Sequence, residues 1–239
     1  MSLVDEGEIG AGGTATVRRV YDPSLRRRVA MKTLSADLAG NARAERDFVQ
    51  EAEITAQLEH PNIIPIHELT AVDGRPAFSM RLIRGQTLHQ ALAAQGGPVA
   101  DADALDRVLN VFLRVCDAVA FAHSRGVVHG DIKPDNVMVG SFGEVYLVDW
   151  GVASLIPAAA PEQQISVSSE RHTRSGVRGT PAFMAPEQAK GVLTEIGERT
   201  DVFGLGALLY YVLAGRPPFE GSTASETLTR ARAGLFADP

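Results

Sequence analysis

The sequence predicts an α+β fold in which antiparallel strands come first and long helices follow. Over residues 9–83, short apolar runs alternate with turns rich in Gly, Pro and Asp. Over 101–123, apolar residues recur at helical spacing, and 202–214 is apolar nearly all round. Most strands lie before the helices at 101–123 and 202–214, which fits an α+β arrangement. With 239 residues, 45% hydrophobic and 22% charged, the chain can build a sizeable core as one large domain or two smaller bodies.

In order, the first element is Ile9-Gly10-Ala11-Gly12-Gly13-Thr14-Ala15-Thr16-Val17. Glycines let main-chain N–H groups approach phosphate oxygens closely. The following Val17-Arg18-Arg19-Val20-Tyr21 reads as a strand, so the glycines sit at a hairpin tip. A dinucleotide-binding turn would lead into a helix. A P-loop needs Gly-Lys-Ser/Thr, and no lysine follows a glycine here. After the turn Asp22-Pro23-Ser24, Val29-Ala30-Met31-Lys32 reads as a strand; a single lysine there is also consistent with a solvated side chain.

Residues 41–59 read as a helix with Phe48, Ala52, Thr55 and Leu58 on one face and Glu51 beside them. Glu45, Glu53 and Glu59 read as solvated helix charges, and His60-Pro61 ends the element. Strands are expected at 63–66 and 77–83, separated by a turn at Asp73-Gly74, and 85–97 reads as a linker with a short helix. Asp101-Ala102-Asp103 caps a long helix to His123, with Leu105, Val108, Leu109, Phe112, Cys116 and Val119 on its stripe.

The densest chemistry lies in His129-Gly130-Asp131-Ile132-Lys133-Pro134-Asp135-Asn136 and Asp149-Trp150-Gly151. An apolar hairpin, turning at Gly140-Ser141-Phe142-Gly143, should bring Asn136 and Asp149 together. A carboxylate beside an amide oxygen suits Mg²⁺, which takes further ligands from water and phosphates. Asp131 and Lys133, two apart, offer a proton acceptor and a cation. Taken singly, each of these is also an ordinary turn residue. His129 is expected to be buried and hydrogen-bonded. Residues 153–177 lack periodicity and are expected to be mobile. Residues 202–214 should form a buried central helix, and a last helix covers about 223–233.

Together these stretches resemble the protein kinase family. His129-x-Asp131-x-Lys133-x-x-Asn136 is similar to its catalytic loop and Asp149-x-Gly151 to its metal loop. Gly10-x-Gly12, Val29-Ala30-Met31-Lys32, Glu51, Ala185-Pro186-Glu187 and Asp201 complete the family's motifs in order over nearly the whole chain. Trp150 and the 140–144 hairpin point to the eukaryotic-like (Hanks-type) bacterial serine/threonine protein kinases.

The resemblance implies a two-lobed protein-kinase-like fold. Residues 1–84 would form the small antiparallel-sheet lobe with glycine loop, strand lysine, helix glutamate and hinge. Residues 85–239 would form the mainly helical large lobe, truncated because the family's last helices and the arginine partner of Glu187 are missing. It implies transfer of the ATP γ-phosphoryl group to serine or threonine hydroxyls of proteins, including the chain itself. Asp131, Lys133, Lys32 and Glu51 would be catalytic. ATP, bound between the lobes, would meet Ile9, Gly10, Ala11, Gly12, Gly13, Val17, Ala30, Lys32, Met80, Arg81, Ile83 and Met138. Asn136 and Asp149 would hold Mg²⁺.

Lys133 with Thr180 is the serine/threonine-specific combination, Asp201 would brace the catalytic loop, and 179–187 would dock protein substrate. That docking segment disfavours a small-molecule kinase. Ser166, Ser168, Ser169, Thr173 and Ser175, near Arg171, Arg174 and Arg178, are candidate phosphorylation sites. Ala15 replaces the third loop glycine, Gly130 the catalytic-loop arginine and Trp150 the usual phenylalanine. Gly130 cannot receive an activation-loop phosphate, so activity should depend little on one. These departures keep a pseudokinase, binding nucleotide or a partner without efficient turnover, as the alternative.

The net charge of −6 does not suggest nucleic-acid or anionic-membrane binding. The single cysteine excludes an internal disulfide framework and a cysteine-cluster zinc site. The start lacks a signal-peptide core, and the longest apolar run is too short to span a bilayer, so a cytoplasmic location is expected. The exposed side of the 202–214 helix should promote self-association or partner binding.

Overall fold

The computed structural model describes residues 3–94, 101–158, 160–168 and 176–236. Ser169, Arg171, Thr173, Arg174 and Ser175, named above, lie outside the described residues. The chain divides into two compact units. The first comprises Met1–Glu59, Ile63–Arg84 and Ser166–Glu170; the second comprises His60–Asn62, Gly85–Ile165 and Arg171–Pro239.

The first unit contains β1 (Val4–Ala11), β2 (Ala15–Asp22), β3 (Arg27–Leu34), α1 (Ala42–Gln57), β4 (Ile66–Val72) and β5 (Arg75–Arg81). Its five strands form an antiparallel sheet in the order β1-β2-β3-β5-β4. Local chemistry sets the turns. Asp22 Oδ1 accepts the Ser24 and Leu25 N–H groups, and Asp73 and Gly74 both take positive φ, which matches the twist of a two-residue hairpin. One face carries Ala15, Leu34 and Phe78, packed with Phe48 and Ala52 of α1. The other carries Val20, Val29, Met31 and Ala77. Asn41 caps α1 by accepting the Arg43 and Ala44 N–H groups, a contact worth about 1 kcal/mol.

Two strand boundaries differ from expectation. Ile63 and Ile64 are buried but precede β4, because Pro61 and Pro65 flank them and proline cannot donate to a ladder. The 77–83 strand is instead Arg75–Arg81, so Ile83 lies just beyond it.

The second unit contains β6 (Gly85–Thr87), α2 (Leu88–Ala94), α3 (Ala102–Ser124), β7 (Val127–Val128), β8 (Val137–Gly140), β9 (Val145–Leu147), β10 (Ser154–Leu155), α4 (Pro186–Lys190), α5 (Glu198–Ala214) and α6 (Ala224–Ala233). Asp101 caps α3 through the Ala104 N–H. The buried stripe of α3 is Ala104, Val108, Val115, Ala118, Val119 and Ala122, so Cys116 is only half-buried rather than core. The helix expected to be central and buried, α5, also has the exposed side expected of it: Val202 and Leu213 are 60% and 53% exposed. The side of α5 that carries Asp201, Gly204 and Leu208 is covered, and apolar composition alone cannot say which side meets protein. Gly204 allows close packing there: a Cβ would come within 3.1 Å of Ile132. Within the stretch expected to lack regular structure, Ser154 and Leu155 pair with β7 through main-chain bonds that leave no side-chain period. No helix among the described residues is long and apolar enough to cross a membrane.

Candidate active site

The β7–β8 connection in the second unit is organised by Asp201, which is 1% exposed. Its Oδ2 accepts the His129 N–H and faces His123 Nε2, and its Oδ1 accepts the Gly130 N–H, each at 2.8 Å. Gly130 has φ +76°, a left-handed backbone that suits glycine. Its carbonyl accepts Gln188 Nε2 at 2.7 Å, and Gln188 Oε1 accepts the Ala185 N–H.

His129 is buried, as expected. Nδ1 accepts the Asp131 N–H and Nε2 faces Val148 O, both at 3.1 Å. The tautomer satisfying both contacts carries its proton on Nε2. Trp150 packs edge-on against the ring with centroids 4.6 Å apart, and is itself 1% exposed.

This bracing aims the Asp131 carboxylate. Oδ1 accepts the Thr180 N–H at 2.8 Å, and Oδ2 accepts Lys133 Nζ at 2.7 Å and Asn136 Nδ2 at 3.2 Å. Lys133 Nζ also donates to Thr180 Oγ1 at 2.6 Å. A carboxylate held by three fixed donors, with an ammonium and a hydroxyl beside it, can receive a proton in one orientation.

Asn136 Nδ2 also donates to Asp131 O at 2.8 Å, so its Oδ1 is left as the acceptor a cation would use. Val148 N–H donates to Asn136 O, which sets Asp149 one residue from a main-chain bond to Asn136. Asp149 has φ +65°, a strained conformation of the kind found at functional sites. An amide oxygen and a carboxylate are hard donors, and they fit Mg²⁺ that draws its other ligands from phosphate and water. Met138, on β8, pairs with Thr87 and Tyr146 in the same unit.

In the first unit, Lys32 Nζ donates to Glu51 Oε1 at 2.5 Å, with the side chains 15% and 10% exposed. Gly10 pairs with Val17, Val17 with Lys32, and Ala30 with Met80. Cross-strand partners share a face, so Val17, Ala30, Lys32 and Met80 line one side of the sheet. Ile9 and Ala11 are in β1, Gly12 and Gly13 form the tip, and Gly12 N–H donates to Ala15 O. Arg81 ends β5, where its N–H donates to Pro65 O. Ala15 is not at the tip. It begins β2 with its methyl in the core, which explains why a side chain is used there.

Sequence reasoning missed several supporting residues. His123 meets Asp201 and Gln188 meets Gly130, so both support the β7–β8 connection, and Thr200 Oγ1 donates to Glu187 at 2.8 Å, so that glutamate has a partner other than the family's arginine. Glu53, expected to be solvated, accepts the Ser168 N–H, and Gln57 meets the main chain of Ser166. These partners are 13 to 115 positions apart, and no local pattern signals them.

The chain belongs to the protein kinase family: residues 3–237 match the family model described as "Protein kinase domain". Among its relatives are proteins named serine/threonine-protein kinase PknD. The one from Protochlamydia amoebophila (strain UWE25) is 35% identical over 232 residues, covering 91% of this chain and 23% of the relative. Those from Chlamydia felis (strain Fe/C-56) and Chlamydia trachomatis serovar D (strain ATCC VR-885 / DSM 19411 / UW-3/Cx) are 33% and 35% identical over 226 and 229 residues, each covering 88% of this chain and 24% of the relative. The chain spans about a quarter of the length of these curated relatives. Their names support placing it with Hanks-type bacterial serine/threonine kinase domains.

Proposed function

We propose that this chain transfers the γ-phosphoryl group of ATP to serine or threonine hydroxyls of proteins, itself included. The observation that carries the reading is the Asp131–Lys133–Thr180–Asn136 network. Asp131 orients the acceptor hydroxyl and takes its proton as the oxygen attacks phosphorus. Lys133 offsets charge on the transferring group, and Lys32, oriented by Glu51, binds ATP phosphates. The glycine hairpin covers the phosphates with N–H groups, while Ile9, Val17, Ala30, Met80, Met138 and the main chain of 81–83 receive the base. Asn136 and Asp149 would hold Mg²⁺, which neutralises phosphate charge. Such transfer depends mainly on positioning and electrostatic stabilisation.

Residues 1–84 and 85–239 serve as small and large lobes in this reading, and the location is cytoplasmic. Gly130 supports little dependence on activation-loop phosphate, so phosphatase treatment should leave most activity. Exposed Val202, Leu213, Leu235 and Phe236 support self-association, which a strictly monomeric sedimentation profile would count against.

Incubation with Mg-ATP and casein, read by mass spectrometry, should yield phosphoserine or phosphothreonine. Asp131→Asn should lower turnover by about 10²-fold or more. Near-normal turnover in that variant would refute the role of Asp131. Nucleotide binding without any transfer by the wild type would identify a pseudokinase.

A further inference from the structure

Helix α1 is gripped on two sides. On one, Glu51 receives Lys32. Residues 53 and 57 lie on the far side, about 200–240° around the helix from residue 51. There Gln57 Nε2 donates to Ser166 O at 2.7 Å, and the Ser166 N–H donates to Gln57 Oε1 at 3.2 Å. Gln57 Nε2 also donates to Glu53 O at 2.8 Å. One turn back, Glu53 Oε2 accepts the Ser168 N–H at 2.9 Å.

The Gln57 amide thus pairs with the main chain of Ser166 as a neighbouring strand would, with both its donor and acceptor sides engaged. Gln57, Ser166 and Ser168 are exposed, so apolar burial does not account for the contact. It reads main chain alone and is independent of the serine hydroxyls.

We propose that Glu53 and Gln57 are positioning residues for phosphoryl transfer. They form a ledge on α1 for residues 166–168, which holds the helix at the rotation that pairs Glu51 with Lys32. The proposal rests on the kinase reading above. Negative charge added at Ser168 meets the Glu53 carboxylate and releases the ledge by like-charge repulsion.

The test compares the wild-type chain with Gln57→Ala, Ser168→Glu, Ser168→Ala, Glu51→Gln and the Gln57→Ala/Glu51→Gln double variant. Hydrogen exchange reads the ledge without any need for activity. In Gln57→Ala the amides of Ser166 and Ser168 should exchange about three- to tenfold faster, the scale of one or two exposed hydrogen bonds. In turnover assays, Gln57→Ala should lower kcat by about the same factor and leave the protein-substrate KM within about twofold, since the lost contact acts on the Lys32–Glu51 pair and not on peptide binding. It should add nothing to Glu51→Gln, because residues acting through one pair are not additive. Ser168→Glu should match Gln57→Ala, and Ser168→Ala should match the wild type. Unchanged exchange at 166 and 168, multiplied losses in the double variant, or identical behaviour of the two Ser168 variants would overturn the proposal. A wild type that transfers no phosphate would sink the kinase reading, while the exchange comparison still decides the ledge.

Discussion

Replacing Asp201 with alanine should be among the most damaging single changes in the second unit. The carboxylate is 1% exposed and meets His123 and two main-chain N–H groups, each at 2.8 Å. Asp201→Ala leaves those N–H groups without an acceptor, at about 1–3 kcal/mol apiece. The expected loss is therefore about 3–5 kcal/mol, the scale for removing one partner from a buried charged network. At about 2–4 °C per kcal/mol for a chain of this size, the melting temperature should fall by roughly 10 °C. Asp201→Asn keeps one acceptor oxygen but turns an NH₂ towards a donor, so an intermediate loss is expected. Because Asp131 follows His129 and Gly130 directly, turnover should fall about 10- to 100-fold in the alanine variant through misplacement of its carboxylate. Urea and thermal unfolding, with exchange rates at the His129 and Gly130 amides, provide the assay. A loss below about 1 kcal/mol with undiminished protection would refute the claim that these bonds hold the loop.

Three further outcomes are expected. Trp150→Phe removes part of a buried ring packed on His129 and should cost about 1–2 kcal/mol in urea unfolding; equal or greater stability would show that the site prefers the smaller ring. Gly130→Ala should cost about 1–2 kcal/mol, because φ is +76° while the nearest atoms to an added Cβ lie at 3.5 Å; a neutral result would rule out backbone strain as the constraint. Burial holds His60 below its ordinary imidazole range against the opposing pull of Asp117, and burial with Arg27 and Arg81 does the same for His67. Below about pH 6.5 the unfolded chain then binds protons that the folded chain refuses, so stability should fall as pH drops from 7.5 towards 5. The unfolding midpoints of His60→Asn/His67→Asn should depend less steeply on pH, and an unchanged slope would exclude these two groups as the source.

Much of the chain was legible in its sequence because the relevant signals are local. The Asp101 cap, the Asp73-Gly74 turn and the hairpin tip at 140–143 each depend on a few neighbouring residues, and each is where local chemistry placed it. The Asp131–Lys133–Asn136 grouping was also legible, since the loop that carries it spans only six residues. Strand limits around Pro61 and Pro65 were not, because burial of Ile63 and Ile64 imitates a strand pattern without a ladder.

The sequence by itself determined the order of the main elements and the chemical types gathered between residues 129 and 136, because spacing and turn chemistry act within a few residues. Only the tertiary structure decided that His123 and Gln188 support the β7–β8 connection, that Ala15 belongs to the core and that Gln57 meets Ser166. Each of those depends on groups brought together from distant positions, where a hydrogen bond or a packed methyl leaves no periodic trace in either partner's own stretch of chain.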